Sequence, residues 1–490
     1  MSLIPRTTGR APHAKELGQV ASLRSRFVTE RFARISPGTR RYGRVLAGAV
    51  FALTVFAFIA ANVRQSLDKG IHNPNDFVTL YAGSVCLTEA CNPYNIPVLD
   101  NVLVQKRGTE IRQEWTDQLP IYPPTTLFLL LPFSRLSYAT ATTVWYVLSL
   151  SVYAAGLLWA FLFSSYLRGQ SRALRGVAVL LGVHFPKLVQ CLSFGNPSVL
   201  VTGLMLFAVF DAPHSRFRFR VICAAIACML KPPLALPLML LLVFRDSDRL
   251  RQSFLAMGAF FSAVAWILLL AFLPGGMHHW LADLRTNISM GQHGGMNPSI
   301  RISPSNTLLN VAVLPGYFTN DPRIIKTVTL LIAGTCVALF CFAIARLYRR
   351  RDWLTRGYAV SVPTLAILSL LPVYHRFCDI GLVLFVIPWL IHSLSTHPRW
   401  HSWLSLPILF LLYFSWERRI SLDHLRVPAR HVVEFLYYRG DPLLLLALTC
   451  ILLLAMYSVA NQPDQGPWQE NESQQIPSPP LATSREDLTS

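Results

Sequence analysis

Asp76 is the residue of this chain that is best placed to do chemistry. It is followed directly by Phe77, with Tyr81 about one helical turn further along. An ionised carboxylate can act as a general base that removes a proton from a hydroxyl group, which typically contributes about 10²–10⁴-fold in rate. The alternative role is structural, because Asp is also a favoured N-cap for a helix that begins at Phe77.

The composition predicts a membrane protein around this carboxylate. Of the 490 residues, 53% are hydrophobic and 14% are charged, whereas soluble domains are roughly a quarter charged. We therefore expect an all-α, polytopic integral membrane protein with about 10–13 membrane helices, including short re-entrant pieces.

The positive charges indicate topology rather than nucleic-acid binding. The formal net charge is +19, but the arginines form short clusters between apolar segments instead of one basic face, so we expect no nucleic-acid partner. By the positive-inside rule these clusters mark cytoplasmic loops. They are Arg24 to Arg44, Arg168 to Arg175, Arg216 to Arg220, Arg245 to Arg251 and Arg346 to Arg351.

The first cluster precedes the apolar run from Val45 to Asn62, which predicts a cytoplasmic N-terminus and a first span that leads outward. Three parts follow: a basic cytoplasmic arm (1–44), a polytopic transmembrane domain (45–460) and a disordered polar tail (461–490). Asp76 then lies on the outer side of the cell membrane. Alternation also puts the loop with Arg418 and Arg419 outside, against the rule, so either this loop is an exception or the last spans are misassigned.

Two segments are too short or too interrupted for simple spans. The stretch between the Arg220 and Arg245 clusters is broken at Lys231-Pro232-Pro233, so we expect two short helices in a hairpin, with Lys231 facing protein or water. A kinked helix with a snorkelling Lys231 is the alternative. After Tyr122-Pro123-Pro124 we expect a short interfacial or re-entrant helix and then a full span.

The cysteines and nucleotide motifs suggest little further chemistry. Cys86 and Cys91 both fall in the first outer loop, where a local disulfide and free thiols are equally compatible with the sequence. The pair His397 and His401 is interrupted by a proline and lacks a third ligand, so we expect no metal site. The chain has no Walker loop and no dinucleotide fingerprint, and no cofactor is expected.

A series of short motifs in this order resembles glycosyltransferase family 87. The motifs are Asp76-Phe77-x3-Tyr81, Asn92-Pro93-Tyr94, Tyr122-Pro123-Pro124 with Leu131-Pro132, Phe194-Gly195-Asn196-Pro197-Ser198 and Lys231-Pro232-Pro233. The resemblance covers roughly Val45 to Asp379 and implies a GT-C-type membrane enzyme, similar to polyprenol-phosphate-mannose-dependent mannosyltransferases. The chain departs from the family at Gly195-Asn196, where Gly-Gln is common, and at Glu89-Ala90-Cys91.

The resemblance implies transfer of a hexose from a polyprenyl-phosphate donor to a glycolipid or glycan acceptor at the outer membrane face. Asp76 matches the family's catalytic carboxylate. We expect substrate contacts from a further set of residues and phosphate contact from His375 in particular, because a leaving phosphate needs cations or donors. The set is Tyr81, Tyr94, Lys231, His375 and Arg376. The alternative for His375 and Arg376 is to anchor a helix end among lipid headgroups.

Two other function classes use different residues. An enzyme of the O-antigen-ligase or polymerase type would rely on Arg285, His293 and Arg301 in the long outer loop and would not need Asp76. A transporter or flippase is disfavoured by the lack of an internal repeat and by the sparse charge inside the apolar segments.

Overall fold

The structure is a computed structural model, which describes most of the chain beyond residue 75. The described residues are 76–107, 119–167, 169–210, 217–245, 276–303, 307–350, 353–396, 399–414 and 427–462, with isolated positions between 50 and 64 and between 258 and 263. The chain divides into a unit of residues 1–60 and a unit of residues 61–490, and the following account concerns the second. The predicted basic arm, most of the first span and nearly all of the polar tail lie outside the described residues.

The described part of the chain is helical, as predicted, and its only pairing of extended backbone is an isolated antiparallel bridge between Leu308 and Arg376. The helices are numbered in chain order. They are α1 (Asp76–Thr88), α2 (Ile96–Arg107), α3 (Pro124–Leu129), α4 (Tyr138–Leu158), α5 (Arg172–Val183), α6 (Pro186–Ser193), α7 (Ser198–Val209), α8 (Phe217–Leu230), α9 (Pro232–Arg245), α10 (Gly276–His293), α11 (Pro315–Phe318), α12 (Pro322–Tyr348), α13 (Tyr358–Leu368), α14 (Val386–Thr396), α15 (Trp400–Phe414) and α16 (Val427–Ala460).

Four helical segments among the described residues are long and apolar enough to cross a membrane, or five if the bent pair α5–α6 forms one span. The four are Tyr138–Phe163, Pro322–Tyr348, Phe377–Thr396 and His431–Ala460. Five shorter apolar helices accompany them: α1, α7, the first part of α9, α13 and α15. The protein is therefore an all-α polytopic membrane protein.

Local sequence signals begin several of these helices. Ser137 caps α4 by accepting a hydrogen bond from the Thr140 amide, and Asp321 caps α12 by accepting one from the Arg323 amide. Proline occupies the first turn of α12 at Pro322, where its missing N–H has no partner to lose. These side chains satisfy backbone donors that a helix start would otherwise leave unpaired.

Helices α4 and α7 approach to backbone contact at two glycines. A Cβ atom on Gly156 would lie 2.5 Å from the Gly203 carbonyl oxygen, and a Cβ atom on Gly203 would lie 2.7 Å from the Tyr153 Cα atom. Small residues at such a crossing let membrane helices pack through their backbones. The contact fixes α7, whose first residue is Ser198, against the span α4.

Helices α8 and α9 form the predicted hairpin. The Cys228 Sγ atom on α8 lies 3.2 Å from the Met239 Sδ atom on α9. In one continuous helix these residues would be separated by roughly 16 Å, since each residue adds about 1.5 Å. A kinked single helix is therefore excluded, and Lys231 occupies the turn between the two helices.

The prediction of a short helix followed by a span is also confirmed. The short helix α3 and a 3₁₀ turn at Leu131–Arg135 precede the span that starts at Tyr138. Two hydroxyls of α3 cap the end of α8: Thr125 Oγ1 donates to the Met229 carbonyl and Thr126 Oγ1 to the Leu230 carbonyl, each at 2.8 Å. The α3 segment thereby holds the hairpin turn in place.

A buried ion pair joins α6 to α16. Lys187 of α6 is 1% exposed and binds the carboxylate of Asp441 on α16. A charge at membrane depth is costly unless an opposite charge compensates it. The pair connects α6, the second helix of the bent α5–α6 segment, to the last span.

The contacts of α12 and α16 show that both helices run in the same direction. At one end, Tyr317, which lies just before α12, donates to the carbonyl of His431 near the start of α16. Arg439 of α16 also donates from Nη2 to the Pro298 carbonyl at 3.1 Å. At the other end, Arg350 donates from Nη1 to the Ala460 carbonyl at 3.2 Å. The end of α16 therefore lies beside Arg350, which directly follows the end of α12.

Because Arg350 belongs to a cluster that the positive-inside rule assigns to the cytoplasm, this arrangement predicts that residue 462 also lies on the cytoplasmic side. In intact cells, an impermeant maleimide should label an Asp321→Cys variant but neither Gln462→Cys nor Arg349→Cys. Each should become reactive once the membrane is permeabilised. Labelling of Gln462→Cys in intact cells, with Arg349→Cys protected, would contradict the parallel course of α12 and α16.

Candidate functional site

Asp76 is the first residue of the short buried helix α1. Residues Phe77 to Cys86 of this helix are all buried, whereas Asp76 itself is partly exposed. The Phe77 ring stacks on Trp145 of α4, with 5.4 Å between ring centroids. The packing of α1 against α4 thus fixes the carboxylate at the boundary between the protein interior and an accessible surface.

The turn between α6 and α7 brings a second polar group to this carboxylate. Gly195 has a positive φ of 63°, and an added Cβ atom would lie 2.6 Å from the Phe77 Cβ atom. The Trp145 indole donates to the Gly195 carbonyl at 2.8 Å. Only glycine permits both the left-handed conformation and the close approach to α1, and this approach places Asn196 beside Asp76.

The Asn196 amide connects Asp76 to the start of α7. Its Nδ2 group donates to Asp76 Oδ2 at 2.6 Å and lies 3.4 Å from the Tyr122 hydroxyl. Its Oδ1 atom accepts from the Ser198 backbone N–H at 2.9 Å and lies 2.6 Å from Ser198 Oγ. The amide is 6% exposed, so these partners replace water almost completely.

Asp379 is the centre of the charged part of the site. The residue is 1% exposed. Its Oδ1 atom lies 2.6 Å from both Ser198 Oγ and Lys231 Nζ, and its Oδ2 atom lies 2.7 Å from His375 Nδ1. Lys231 Nζ also donates to Ser198 Oγ at 2.8 Å. One continuous network therefore runs from Asp76 through Asn196 and Ser198 to Asp379.

His375 is placed differently from the sequence-based expectation. The ring is 1% exposed, its Nδ1 atom bonds to Asp379, and its Nε2 atom lies 3.1 Å from the Ser369 carbonyl. Each ring nitrogen therefore has an oxygen partner inside the protein. Because both nitrogens are occupied inside the protein, the geometry gives no support to phosphate contact by His375.

Arg376 is more accessible than its neighbour His375. Its side chain is partly exposed, and its Nε group donates to the Tyr374 hydroxyl. Burial lowers the pKa of Arg376, but Tyr374 and then the nearby Asp76 carboxylate outweigh this and raise it. The backbone of this segment is held by the Leu308 bridge and by the Phe377 amide, which donates to the Thr307 carbonyl at 2.7 Å.

Two phenols near these charges stay neutral. Burial raises the pKa of Tyr122 well above its ordinary value, and the Asp76 charge adds to the increase. Burial also raises the pKa of Tyr374 to about 12, despite the lowering effect of Arg376. Both side chains are therefore hydrogen-bonding groups rather than bases at neutral pH.

Tyr81 and Tyr94 lie in the walls of the site. Tyr81 is buried and donates to the Leu136 carbonyl at 2.7 Å. Tyr94 is also buried, and its hydroxyl donates to the Tyr122 carbonyl at 2.8 Å. The backbone carbonyl of Tyr94 accepts a hydrogen bond from the Asn287 side chain of α10, also at 2.8 Å. Substrate contact by these tyrosines stays a prediction, and their bonds to the backbone favour a supporting role.

The first loop is closed by a disulfide between Cys86 and Cys91, whose Cα atoms are 4.9 Å apart. The cysteine pairing that the sequence left open is therefore formed. It closes the turn that follows α1 and precedes Tyr94. The Arg285, His293 and Arg301 side chains, on which a ligase-type enzyme would depend, are exposed on α10 and the loop after it.

The structure adds four residues to the candidate site: Tyr122, Asn196, Ser198 and Asp379. Each stands in a motif or outer segment noted in the sequence, yet none was selected for a chemical role. The available signal was the combination of polar residues with glycine and proline at Phe194-Gly195-Asn196-Pro197-Ser198. Their convergence depends on contacts among α1, α7, the α8–α9 turn and the segment after α13, which spacing along the chain does not reveal.

Comparison with known families gives one match. The family described as Glycosyltransferase family 87 matches residues 121–372, just over half of the chain. The matched range includes Asn196, Ser198 and Lys231, while Asp76 precedes it and Asp379 follows it. No curated protein and no solved structure matches the chain.

Gly195→Ala should displace Asn196 and lower catalytic activity by about 10²-fold, because small displacements at a reacting centre can have effects of this size. Activity and thermal unfolding should be measured together. Gly169→Ala is a control for the backbone conformation alone, since Gly169 has a φ of 96° and no atom near the added Cβ. Gly334→Ala, in an open helical position, controls for the substitution itself. Wild-type activity in Gly195→Ala would show that the turn does not position the site.

Proposed function

Since the chain belongs to glycosyltransferase family 87, we propose that it transfers a hexose from a polyprenyl-phosphate carrier to an acceptor at the outer face of the cytoplasmic membrane. Glycosyltransferase activity follows from the family. The lipid-linked donor, the use of mannose, the glycolipid or glycan acceptor and the side of the membrane are parts of the proposal. Mannose is the first sugar to test because the motif series resembles mannosyltransferases.

The observation that carries the proposal is the setting of Asp76. Its carboxylate is partly exposed, one oxygen accepts the Asn196 amide at 2.6 Å, and the positive charge of Arg376 is close enough to interact with it. A base and a cation at one accessible surface suit a reaction in which a hydroxyl loses a proton and a phosphate leaves as an anion.

The proposed step inverts the configuration at the anomeric carbon of the sugar. Asp76 removes the proton of the acceptor hydroxyl while the acceptor oxygen forms its bond to the anomeric carbon. The bond from that carbon to the phosphate oxygen breaks at the same time, and its electrons leave with the polyprenyl phosphate. Atoms and charge balance, because the proton ends on Asp76 and the negative charge on the leaving phosphate.

The charge distribution supports an anionic donor. Lys231 is committed to Asp379 and Ser198, at 2.6 and 2.8 Å, so its charge is largely compensated inside the protein. Arg376, in contrast, is partly exposed and has a phenol as its hydrogen-bond partner. A guanidinium can bind phosphate oxygens through two parallel hydrogen bonds, which makes Arg376 the favoured phosphate-binding residue in this proposal.

The disulfide supports an outer location for the site. Disulfides form and persist in oxidising compartments such as the bacterial periplasm and are rare in the cytosol. The Cys86–Cys91 bond lies at the end of α1, the helix that starts with Asp76. This agrees with the outward placement expected from the arginine clusters.

Asp76→Asn should reduce transfer by at least about 10²-fold, because the amide preserves shape and capping ability but cannot accept the proton. The assay uses full-length protein in lipid nanodiscs, radiolabelled polyprenyl phosphate mannose as donor, and lipid extract from cells lacking the gene as acceptor. Glucosyl and galactosyl donors are tested in parallel.

Asp321→Asn is the matched control, since Asp321 is an exposed N-cap whose role an amide can also fill. It should keep wild-type activity. Retention of activity within about tenfold in Asp76→Asn, less than the usual contribution of a base, would reject Asp76 as the base and favour the capping role.

Arg376→Gln should raise the apparent KM for the donor by about 10- to 100-fold, the equivalent of one hydrogen bond to a charged group. The apparent KM for the acceptor should change little. Arg323→Gln, at an exposed position at the start of α12, removes the same charge elsewhere and should leave both constants unchanged.

His375→Ala gives the contrast to Arg376→Gln. It removes a buried partner of Asp379, so it should lower the melting temperature and the rate without a selective effect on the donor KM. If His375→Ala instead raised only the donor KM and Arg376→Gln did not, phosphate binding would belong to His375, as the sequence first suggested.

A further inference from the structure

We infer that Asn196 is a positioning residue of the transfer reaction, which holds the Asp76 carboxylate in one rotation through an amide whose own orientation is fixed by Ser198. The inference rests on the proposed role of Asp76. The residues that carry it come from α1, from the turn before α7 and from α7 itself.

The first step concerns the direction of the amide. Asn196 Oδ1 faces the backbone N–H of Ser198 at 2.9 Å, and a backbone N–H can only donate. The oxygen of the amide must therefore point toward Ser198, and the NH₂ group must point toward Asp76. A reversed amide would place its oxygen against the carboxylate and an N–H group against another N–H group, so only one orientation satisfies both neighbours.

The second step concerns the hydroxyl of Ser198. Lys231 Nζ donates to Ser198 Oγ at 2.8 Å, so the hydroxyl accepts on that side and must direct its own proton elsewhere. Two acceptors lie at 2.6 Å, Asn196 Oδ1 and Asp379 Oδ1. The hydroxyl has one proton and can donate to only one of these acceptors at a time, so the Ser198 backbone N–H is the donor that fixes the orientation of the Asn196 amide.

As a consequence, the two oxygens of the Asp76 carboxylate have different roles. The Asn196 NH₂ group donates to Asp76 Oδ2 at 2.6 Å, so the amide occupies this oxygen. In this scheme Oδ1 is the oxygen that receives the acceptor's proton. Asn196 does not touch substrate; it acts by limiting the rotation of the base.

The test compares two replacements of Asn196 that differ in their ability to donate. Asn196→Leu removes the amide and keeps a similar volume, whereas Asn196→Gln keeps an amide on a longer stem. We expect Asn196→Leu to lower kcat by about 30- to 100-fold with the donor KM within about threefold of wild type. Asn196→Gln should recover at least about tenfold of that loss.

Two controls separate positioning from general damage. Asn287→Leu makes the same change at a buried amide that donates to two backbone carbonyls, those of Tyr94 and Pro120. It should lower the melting temperature without a comparable loss of kcat per folded molecule. Ser193→Ala removes a hydroxyl from the same turn, where it bonds locally to the Gln190 carbonyl, and should leave kcat unchanged.

The outcomes distinguish the inference from the function on which it rests. An Asn196→Leu variant with kcat within threefold of wild type, or one that loses only stability or KM, would overturn the positioning role while Asp76→Asn remains inactive. Equal activity in the Leu and Gln variants would overturn it as well, because the donor would then be irrelevant. Activity in Asp76→Asn would instead reject the proposed base itself.

Discussion

The buried charge of Asp379 is the constraint on which the site depends. A carboxylate that is 1% exposed in a membrane protein is stable only when opposite charge and hydrogen-bond donors surround it. Lys231 and His375 provide these at 2.6 and 2.7 Å, and Ser198 adds a hydroxyl at 2.6 Å. Removing one partner of such a buried pair typically costs about 3–5 kcal/mol, so Asp379 holds three separate parts of the chain together.

Other contacts also hold these three parts in place. The Lys231 turn depends on α3, whose hydroxyls cap the last carbonyls of α8. Ser198 depends on the glycine contact between α4 and α7, and Asn196 depends on the left-handed conformation of Gly195. The helices α1 and α3 are only 13 and 6 residues long, yet α1 begins with Asp76 and α3 caps the turn that carries Lys231.

The general architecture could be predicted from sequence because it follows from composition and local signals. The apolar content, the arginine clusters and the break at Lys231-Pro232-Pro233 led to a helical membrane protein with a hairpin, and the Cys228–Met239 contact agrees with it. The positions of the site residues, in contrast, depend on tertiary contacts that the sequence does not show. Asp379 lies four residues after His375, but nothing in the sequence shows that one oxygen of its carboxylate meets Ser198 and Lys231, which come from other parts of the chain. Asn196 likewise reaches Asp76 because Gly195 packs against Phe77.

The position of His375 shows how a residue type alone leaves its partners within the protein unidentified. A histidine beside an arginine at a helix end fits a phosphate site by chemistry alone, yet the ring turns inward to Asp379 and the Ser369 carbonyl. The same inward turn explains the availability of its neighbour. Lys231 and His375 both bind Asp379, so the Asp379 charge has partners inside the protein. Arg376 is partly exposed and close enough to Asp76 to interact with it. Asp379 binding and the proposed phosphate contact therefore fall to adjacent residues of one segment, because extended backbone points successive side chains to opposite faces. The bridge to Leu308 keeps that segment extended.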